Sequence, residues 1–197
     1  LTSDLTRDLR WSRLLLGLPP RVALFLWRAR RLARRNDDVF SLRSVTRPDD
    51  LRRVLRLADG RRSVVELGTA TGWTAISLAL ADRRRRVLSY DPVARNTGDY
   101  IRLVPRVTPE RIEFVTAPGS QGPTTTAHVD LLYIDSSHER DATVAEVRAW
   151  QPVLAPDGLI VFDDYTHPDF PGVREAIATL GLSGEQAGTL YVHRAGR

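Results

Sequence analysis

The chain has 197 residues, 42% hydrophobic and 27% charged, a balance that suits one sizeable globular domain with or without an extension. It contains no cysteine, which excludes disulfides, thiolate zinc sites and cysteine nucleophiles. All 29 basic residues are arginine and the formal charge is +5, unevenly spread: residues 1–62 hold 16 arginines against 7 acids, and residues 63–197 hold 13 against 17. A nucleic-acid or lipid partner for the basic first third ranks below a plain compositional bias toward arginine.

Residues 4–17 read as a short helix stopped by Gly17 and Pro19-Pro20. Residues 20–35 read as a second helix. Val22, Leu26, Ala29 and Ala33 form its apolar stripe, and Arg28, Arg31, Arg34 and Arg35 take the other side. This basic amphipathic helix is expected on the core or on a partner subunit ahead of a lipid surface. The apolar pieces at 14–18 and 22–27 fall short of the ~20 residues needed to cross a bilayer, so a soluble, cytoplasmic protein is expected. Residues 36–48 read as a loop. Arg47-Pro48-Asp49-Asp50 reads as the start of a helix carrying Leu51, Val54, Leu55 and Leu57 and ending near Asp59-Gly60.

Beyond residue 60 the pattern alternates. SVVEL (63–67), RVLSYD (86–91), RIEFVTA (111–117), VDLLYID (129–135), GLIVFDD (158–164) and GTLYVHR (188–194) read as strands. Helices are expected between them at 73–81, around 97–104, at 138–154 and at 172–180. Apolar strands joined by helical crossovers imply a mostly parallel sheet covered on both faces, with binding sites at the carboxyl ends of its strands. Residues 61–197 then form the main domain and residues 1–60 a helical extension. The Thr124-Thr125-Thr126 run after Gly122-Pro123 reads as a loose surface loop.

The first strand ends in Glu66 and turns through Gly68-Thr69-Ala70-Thr71-Gly72 into its helix. Two glycines there allow a tight turn and let a ligand approach the backbone, while the N–H groups of the helix start favour electron-rich atoms. Asp91 ends the next strand, 23 positions after Gly68, where a carboxylate can take both hydroxyls of a ribose. A nucleoside ligand is therefore expected. The third glycine of the dinucleotide fingerprint is missing and no Gly-Lys-Thr/Ser loop occurs, and the acid ahead of the glycines suits an amine-bearing ligand better than a diphosphate.

The stretches ELGTATG and SYDP, followed by LLYIDSSHERDATVAEVRAWQPVLAPDGLIVFDDY and PGVREAI, resemble class I S-adenosylmethionine-dependent methyltransferases. Within them the likeness is to the small-molecule O-methyltransferase branch that includes catechol and macrolide-sugar enzymes, and it covers roughly residues 60 to 194. The resemblance implies a Rossmann-like class I sheet with an antiparallel last strand. It also implies that Glu66, Gly68 and Gly72, with Thr69 between them, line the methionine part of S-adenosylmethionine, that Asp91 binds the ribose, and that Tyr90 flanks the adenine. The polar pair usual after the third strand is replaced by Thr116-Ala117-Pro118-Gly119-Ser120, which leaves Ser120, Gln121 or the backbone for the adenine contact.

Asp135 and Asp163-Asp164 end two strands that such a sheet makes neighbours. Like charges held together need a cation or a proton between them. A hard divalent ion answers that need, magnesium first, with calcium or manganese as substitutes; in the resembling enzymes the matching acids hold magnesium, which orients and acidifies the acceptor hydroxyl. His138, three residues beyond Asp135, is the expected general base, with Asp135 beside it, a role also filled by histidine in some sugar-modifying relatives. A helix-start histidine bonded to Asp135 is the plain alternative. His128, His193 and the tryptophans at 11 and 27 read as structural, and His167, in the loop after the Asp pair, as a surface residue with contact to substrate the alternative.

The expected activity is metal-dependent methyl transfer to a hydroxyl of a sugar, phenol or natural-product intermediate, by an enzyme whose terminal helices cover the acceptor or build a homodimer. A metal-independent transferase and a cofactor-binding partner protein without activity are the alternatives. Methylation of nucleic acid ranks lower, since no Asn-Pro-Pro-Tyr-like motif is present.

Overall fold

The computed structural model describes residue 11, residues 13–123 and residues 128–196. Most of the first expected helix and the triple-threonine run lie outside these. Helix α1 (Pro20–Arg35) is the expected amphipathic helix; proline opens it, where a missing N–H costs nothing, and Val22, Phe25, Leu26, Ala29 and Ala33 are buried. The segment read as a loop contains a helix, α2 (Val39–Ser44). Asp38 caps it, accepting from the Ser41 N–H at 2.9 Å and from the Ser41 hydroxyl at 2.5 Å. Six residues are too few to show a period, so pattern reading passed over the helix. Helix α3 (Pro48–Leu57) follows.

The alternating part supplies β1 (Ser63–Leu67), α4 (Trp73–Ala81), β2 (Arg86–Asp91), α5 (Gly98–Ile101), β3 (Ile112–Thr116), β4 (Val129–Ile134), α6 (Arg140–Trp150), β5 (Leu154–Phe162) and α7 (Pro171–Thr179). A hairpin of β6 (Gly184–Ala187) and β7 (Leu190–Arg194) closes it. The seven strands run in the order β3-β2-β1-β4-β5-β7-β6. The first five are parallel, and β7 runs antiparallel to both β5 and β6. Strand β6 escaped the sequence reading because Gly184–Ala187 is polar and carries no apolar alternation.

The strand order reverses at β1, with β2 on one side and β4 on the other. Chain segments leaving those two strands diverge and open a crevice at their carboxyl ends. Apolar side chains fill both faces of the sheet. One face packs Val64, Leu131 and Leu159 against Ile76 and Leu78 of α4 and against Phe25, Leu26, Leu51 and Val54 of the N-terminal helices. The other packs Leu132, Ile160 and Phe162 against Val147 and Trp150 of α6 and Ile177 of α7. The N-terminal helices are thus a layer of the main core.

Arginine takes up duties inside this framework. The Arg85 side chain, 2% exposed, donates to the carbonyls of Ala58, Arg61 and Leu78 (3.1 Å to Arg61, 2.8 Å to Leu78), satisfying oxygens that helix ends leave open. Arg111 does the same for Ala79 and Asp82 at the end of α4.

Candidate active site

A cavity of about 670 Å³ opens over the carboxyl ends of the parallel strands. Its floor is the turn after β1. Both the Gly68 and the Thr69 N–H donate to the Tyr90 carbonyl, at 2.8 and 3.1 Å, which folds the turn onto β2. Gly68 has φ +102, and a Cβ on it would overlap the Asp135 carbonyl oxygen. At Gly72, φ +84, a Cβ would come within 3.0 Å of the Phe114 ring. The two glycines are therefore required by close approach of protein as well as by left-handed backbone. Ala70 also has positive φ (+47), and its N–H donates to Asp91 Oδ2 at 2.9 Å.

Asp91 stands at the end of β2 on the cavity wall, and its other oxygen accepts from the Val93 N–H at 2.9 Å. Each carboxylate oxygen keeps further lone pairs for hydroxyl donors. A nucleoside ribose, with two hydroxyl donors, fits these acceptors, and the cavity volume suits a nucleoside with an amino-acid tail. Thr69, Gly68 and Ser120 share the wall with Asp91.

Glu66 and Tyr90 sit below the floor, outside the wall. Glu66 is 1% exposed; Ser89 Oγ donates to it, and Thr69 Oγ1 lies 2.6 Å from the same Ser89 hydroxyl. Burial pushes its carboxyl up to about 8, against the pull of the Ser89 bond, with the charges of Asp135 and Asp91 adding to the rise. Tyr90 packs edge-on against Trp150 with ring centroids 5.4 Å apart. Gly72 likewise turns away from the cavity toward Phe114.

Across the crevice, Asp135 follows β4 and Asp163-Asp164 follow β5, and all three carboxylates reach the cavity wall with His138. His138 Nε2 lies 3.5 Å from Asp135 Oδ1 and 3.6 Å from Asp164 Oδ2, and it is buried without a hydrogen bond among the described residues. Its ring stacks on Phe170, centroids 4.5 Å apart. His138 and Asp164 both hold left-handed backbone (φ +60 and +51), which for such residues costs about 1 to 3 kcal/mol each and must be held by the surroundings. Part of that restraint comes from α7, whose Gly172 approaches so closely that a Cβ would lie 2.5 Å from the His138 carbonyl.

The clustered acids and the histidine shift one another's titration. Burial, reinforced by the charges of Asp135 and Asp164, drives the Asp163 carboxyl well above the usual range. Burial also raises Asp135, partly offset by the neighbouring His138 imidazole. For His138 burial favours the neutral ring, but Asp135, Asp164 and Glu146 outweigh it and lift the imidazole above 6.5. Among the described residues no group of three or more His, Asp or Glu side chains is arranged to hold a metal ion. The imidazole nitrogen of His138 lies between Asp135 Oδ1 and Asp164 Oδ2, at 3.5 and 3.6 Å.

The N-terminal layer, expected to cover the acceptor or build a homodimer, supplies the outer wall of the cavity. Phe40, Arg43, Thr46, Arg47 and Asp50 line it. The Ser41 and Thr71 hydroxyls lie 2.8 Å apart, as do those of Thr46 and Thr74, and Tyr100 OH donates to Asp38 Oδ2 at 2.5 Å. The capping pattern at Asp38 was the sequence signal available for this segment. Glu146, 6% exposed on α6, also reaches the wall and accepts from Ser136 Oγ at 2.7 Å.

A family model described as a methyltransferase domain matches residues 65–165, half of the chain. The chain belongs to that family. The sheet order and the turn after β1 agree with the class I methyltransferase resemblance carried by the motifs. Among solved structures, this methyltransferase is similar to a protein named as a candidate O-methyltransferase from Klebsiella pneumoniae. Identity is 16%, coverage 98% of this chain and 97% of that one, and TM-score 0.69. An O-methyltransferase from Bacillus cereus in complex with SAH is similar at 16% identity, 96% and 97% coverage and TM-score 0.69. The TDP-rhamnose 3'-O-methyltransferase of calicheamicin biosynthesis follows at 18% identity, 99% and 95% coverage and TM-score 0.60. At these identities the likeness is one of fold. No curated protein matches the methyltransferase by sequence. No described helix is long and apolar enough to cross a membrane.

Proposed function

We propose that this methyltransferase transfers a methyl group from S-adenosylmethionine to a hydroxyl of a small molecule, with His138 as the general base. S-adenosylmethionine, when bound, supplies an electrophilic methyl on a sulfonium. Asp91 is assigned the ribose hydroxyls, the 68–70 turn the amino-acid end, and Ser120 the adenine edge. The acceptor oxygen gains the methyl and its proton passes to His138 Nε2. Asp135 and Asp164 hold the ring and stabilise the imidazolium as it forms, and Phe170 fixes its plane. The protein contributes alignment and preorganised charge rather than a covalent intermediate.

The observation that carries this reading is the unpartnered, buried Nε2 of His138 on the wall of the cavity that Asp91 also lines. Hydrogen bonds to catalytic groups are often long before substrate binds, and a hydroxyl is the donor this atom lacks. The experiment is calorimetric titration with S-adenosylmethionine and its demethylated product, followed by methyl transfer to a panel of phenols, free sugars and sugar nucleotides. His138→Gln is expected to keep the cofactor affinity and lose about 100-fold or more in kcat. Absence of cofactor binding, or a His138→Gln variant with undiminished turnover, overturns the proposal.

A divalent cation is the second reading, favoured by the convergence of Asp135, Asp163 and Asp164 on one rim. Loss of turnover on chelation and its return with added magnesium, calcium or manganese would select it; turnover unchanged by chelation selects the histidine.

A further inference from the structure

Arg43 and Arg47 are set apart by their place on the cavity wall. Arg52, Arg53, Arg102, Arg140 and Arg194 each face a carboxylate. Arg61, Arg85 and Arg111 serve backbone carbonyls. Arg43 and Arg47 are exposed, line the cavity, and have neither kind of partner among the described residues.

They are also well placed. Ser41 is tied to Thr71 and Thr46 to Thr74, so the backbone bearing Arg43 is pinned on both sides and Arg47 directly follows the second tie. A third guanidinium comes from the facing lip: Arg95 lies 4.0 Å over the Phe40 ring and 3.8 Å from Asp91 Oδ2. The cavity thus has a cationic entrance and an inner end lined by Asp135, Asp163 and Asp164. A molecule entering it is sorted by charge, with its neutral hydroxyl end admitted to His138 and an anionic end held at the lip. Two unpaired guanidinium forks match a dianion, and their planar donors suit phosphate oxygens.

We propose that Arg43 and Arg47, with Arg95, bind a phosphate or diphosphate group carried by the methyl acceptor. The proposal rests on the methyl-transfer reading and names the substrate class for it: a phosphorylated small molecule, with its reacting hydroxyl at the end remote from the anion.

The test is calorimetric titration of inorganic pyrophosphate into the full chain loaded with S-adenosylhomocysteine, with malonate as a dicarboxylate comparison. Wild type, Arg43→Gln, Arg47→Gln, the double variant and Arg148→Gln, an exposed arginine of α6 away from the cavity, are compared. Each single lip variant is expected to weaken pyrophosphate binding about tenfold and the double variant to abolish it. Arg148→Gln is expected to bind as wild type does, and malonate about tenfold or more weaker than pyrophosphate. Unchanged S-adenosylhomocysteine affinity shows that the variants are folded. Equal pyrophosphate affinity in wild type and double variant, or malonate binding as tightly, overturns the proposal. Failure of S-adenosylhomocysteine to bind wild type overturns the methyl-transfer reading instead, and pyrophosphate titrated into the unloaded chain then still decides whether the lip is an anion site.

Discussion

Glu66→Gln separates a buried acid from a ligand-binding one. In the folded chain this carboxyl holds its proton to about 8, against 4.5 for the free group. Between those values the unfolded chain has released a proton that the folded chain keeps, so stability falls as pH rises from about 4.5 to about 8 and is level above. That interval, about 3.5 pH units at about 1.4 kcal/mol each, corresponds to on the order of 5 kcal/mol as an upper bound. Glutamine copies the neutral acid in shape and keeps a donor and an acceptor for Ser89 and the Ala75 N–H. Urea unfolding of both proteins at pH 5, 6.5 and 8.5, followed by circular dichroism, measures the difference. The variant is expected to match wild type near pH 5 and to exceed it by several kcal/mol at pH 8.5, on the order of the bound above. Its affinity for S-adenosylhomocysteine is expected to stay within about threefold, because Glu66 lies outside the cavity wall. Parallel pH profiles for the two proteins, or a variant weaker than wild type at every pH, would refute the reasoning.

Two further outcomes are expected. Gly68→Ala combines left-handed backbone with overlap on the Asp135 carbonyl and is expected to lose at least about 3 kcal/mol, whereas Gly60→Ala, left-handed but facing open space, loses only about 1 kcal/mol; thermal melts compare them. Asp91→Asn weakens the group assigned to the ribose hydroxyls, and S-adenosylhomocysteine affinity is expected to fall about tenfold in calorimetry.

The sheet was legible because its strands are apolar and its helices long enough to show a period. SVVEL, RVLSYD and VDLLYID fall within a residue of β1, β2 and β4. Helix α2 and strand β6 were not legible, the first being too short to repeat and the second polar throughout. At the site, chain order was enough to bring Asp91, Asp135, His138 and Asp163-Asp164 to one cavity, since topology alone puts strand ends together. Depth was not legible. Whether Glu66 or Tyr90 points into the crevice or beneath it depends on strand register and on neighbours such as Ser89 and Trp150 that are distant in sequence. The pairing of His138 with Asp164 was equally hidden, because it rests on two left-handed residues that local propensity disfavours.

The shared packing of the N-terminal helices with the sheet bears on how such an enzyme can be re-engineered. Phe25, Leu26, Leu51 and Val54 are inseparable from Ile76 and Leu78, while the same stretch of chain lines the cavity through residues such as Phe40, Arg43 and Arg47. A trimmed catalytic fragment starting near residue 60 would lose its solubility and its selectivity together. Grafting a new specificity is better done by exchanging 20–57 as one cassette, with the helix faces that contact α4 kept constant and the cavity-facing residues free to vary.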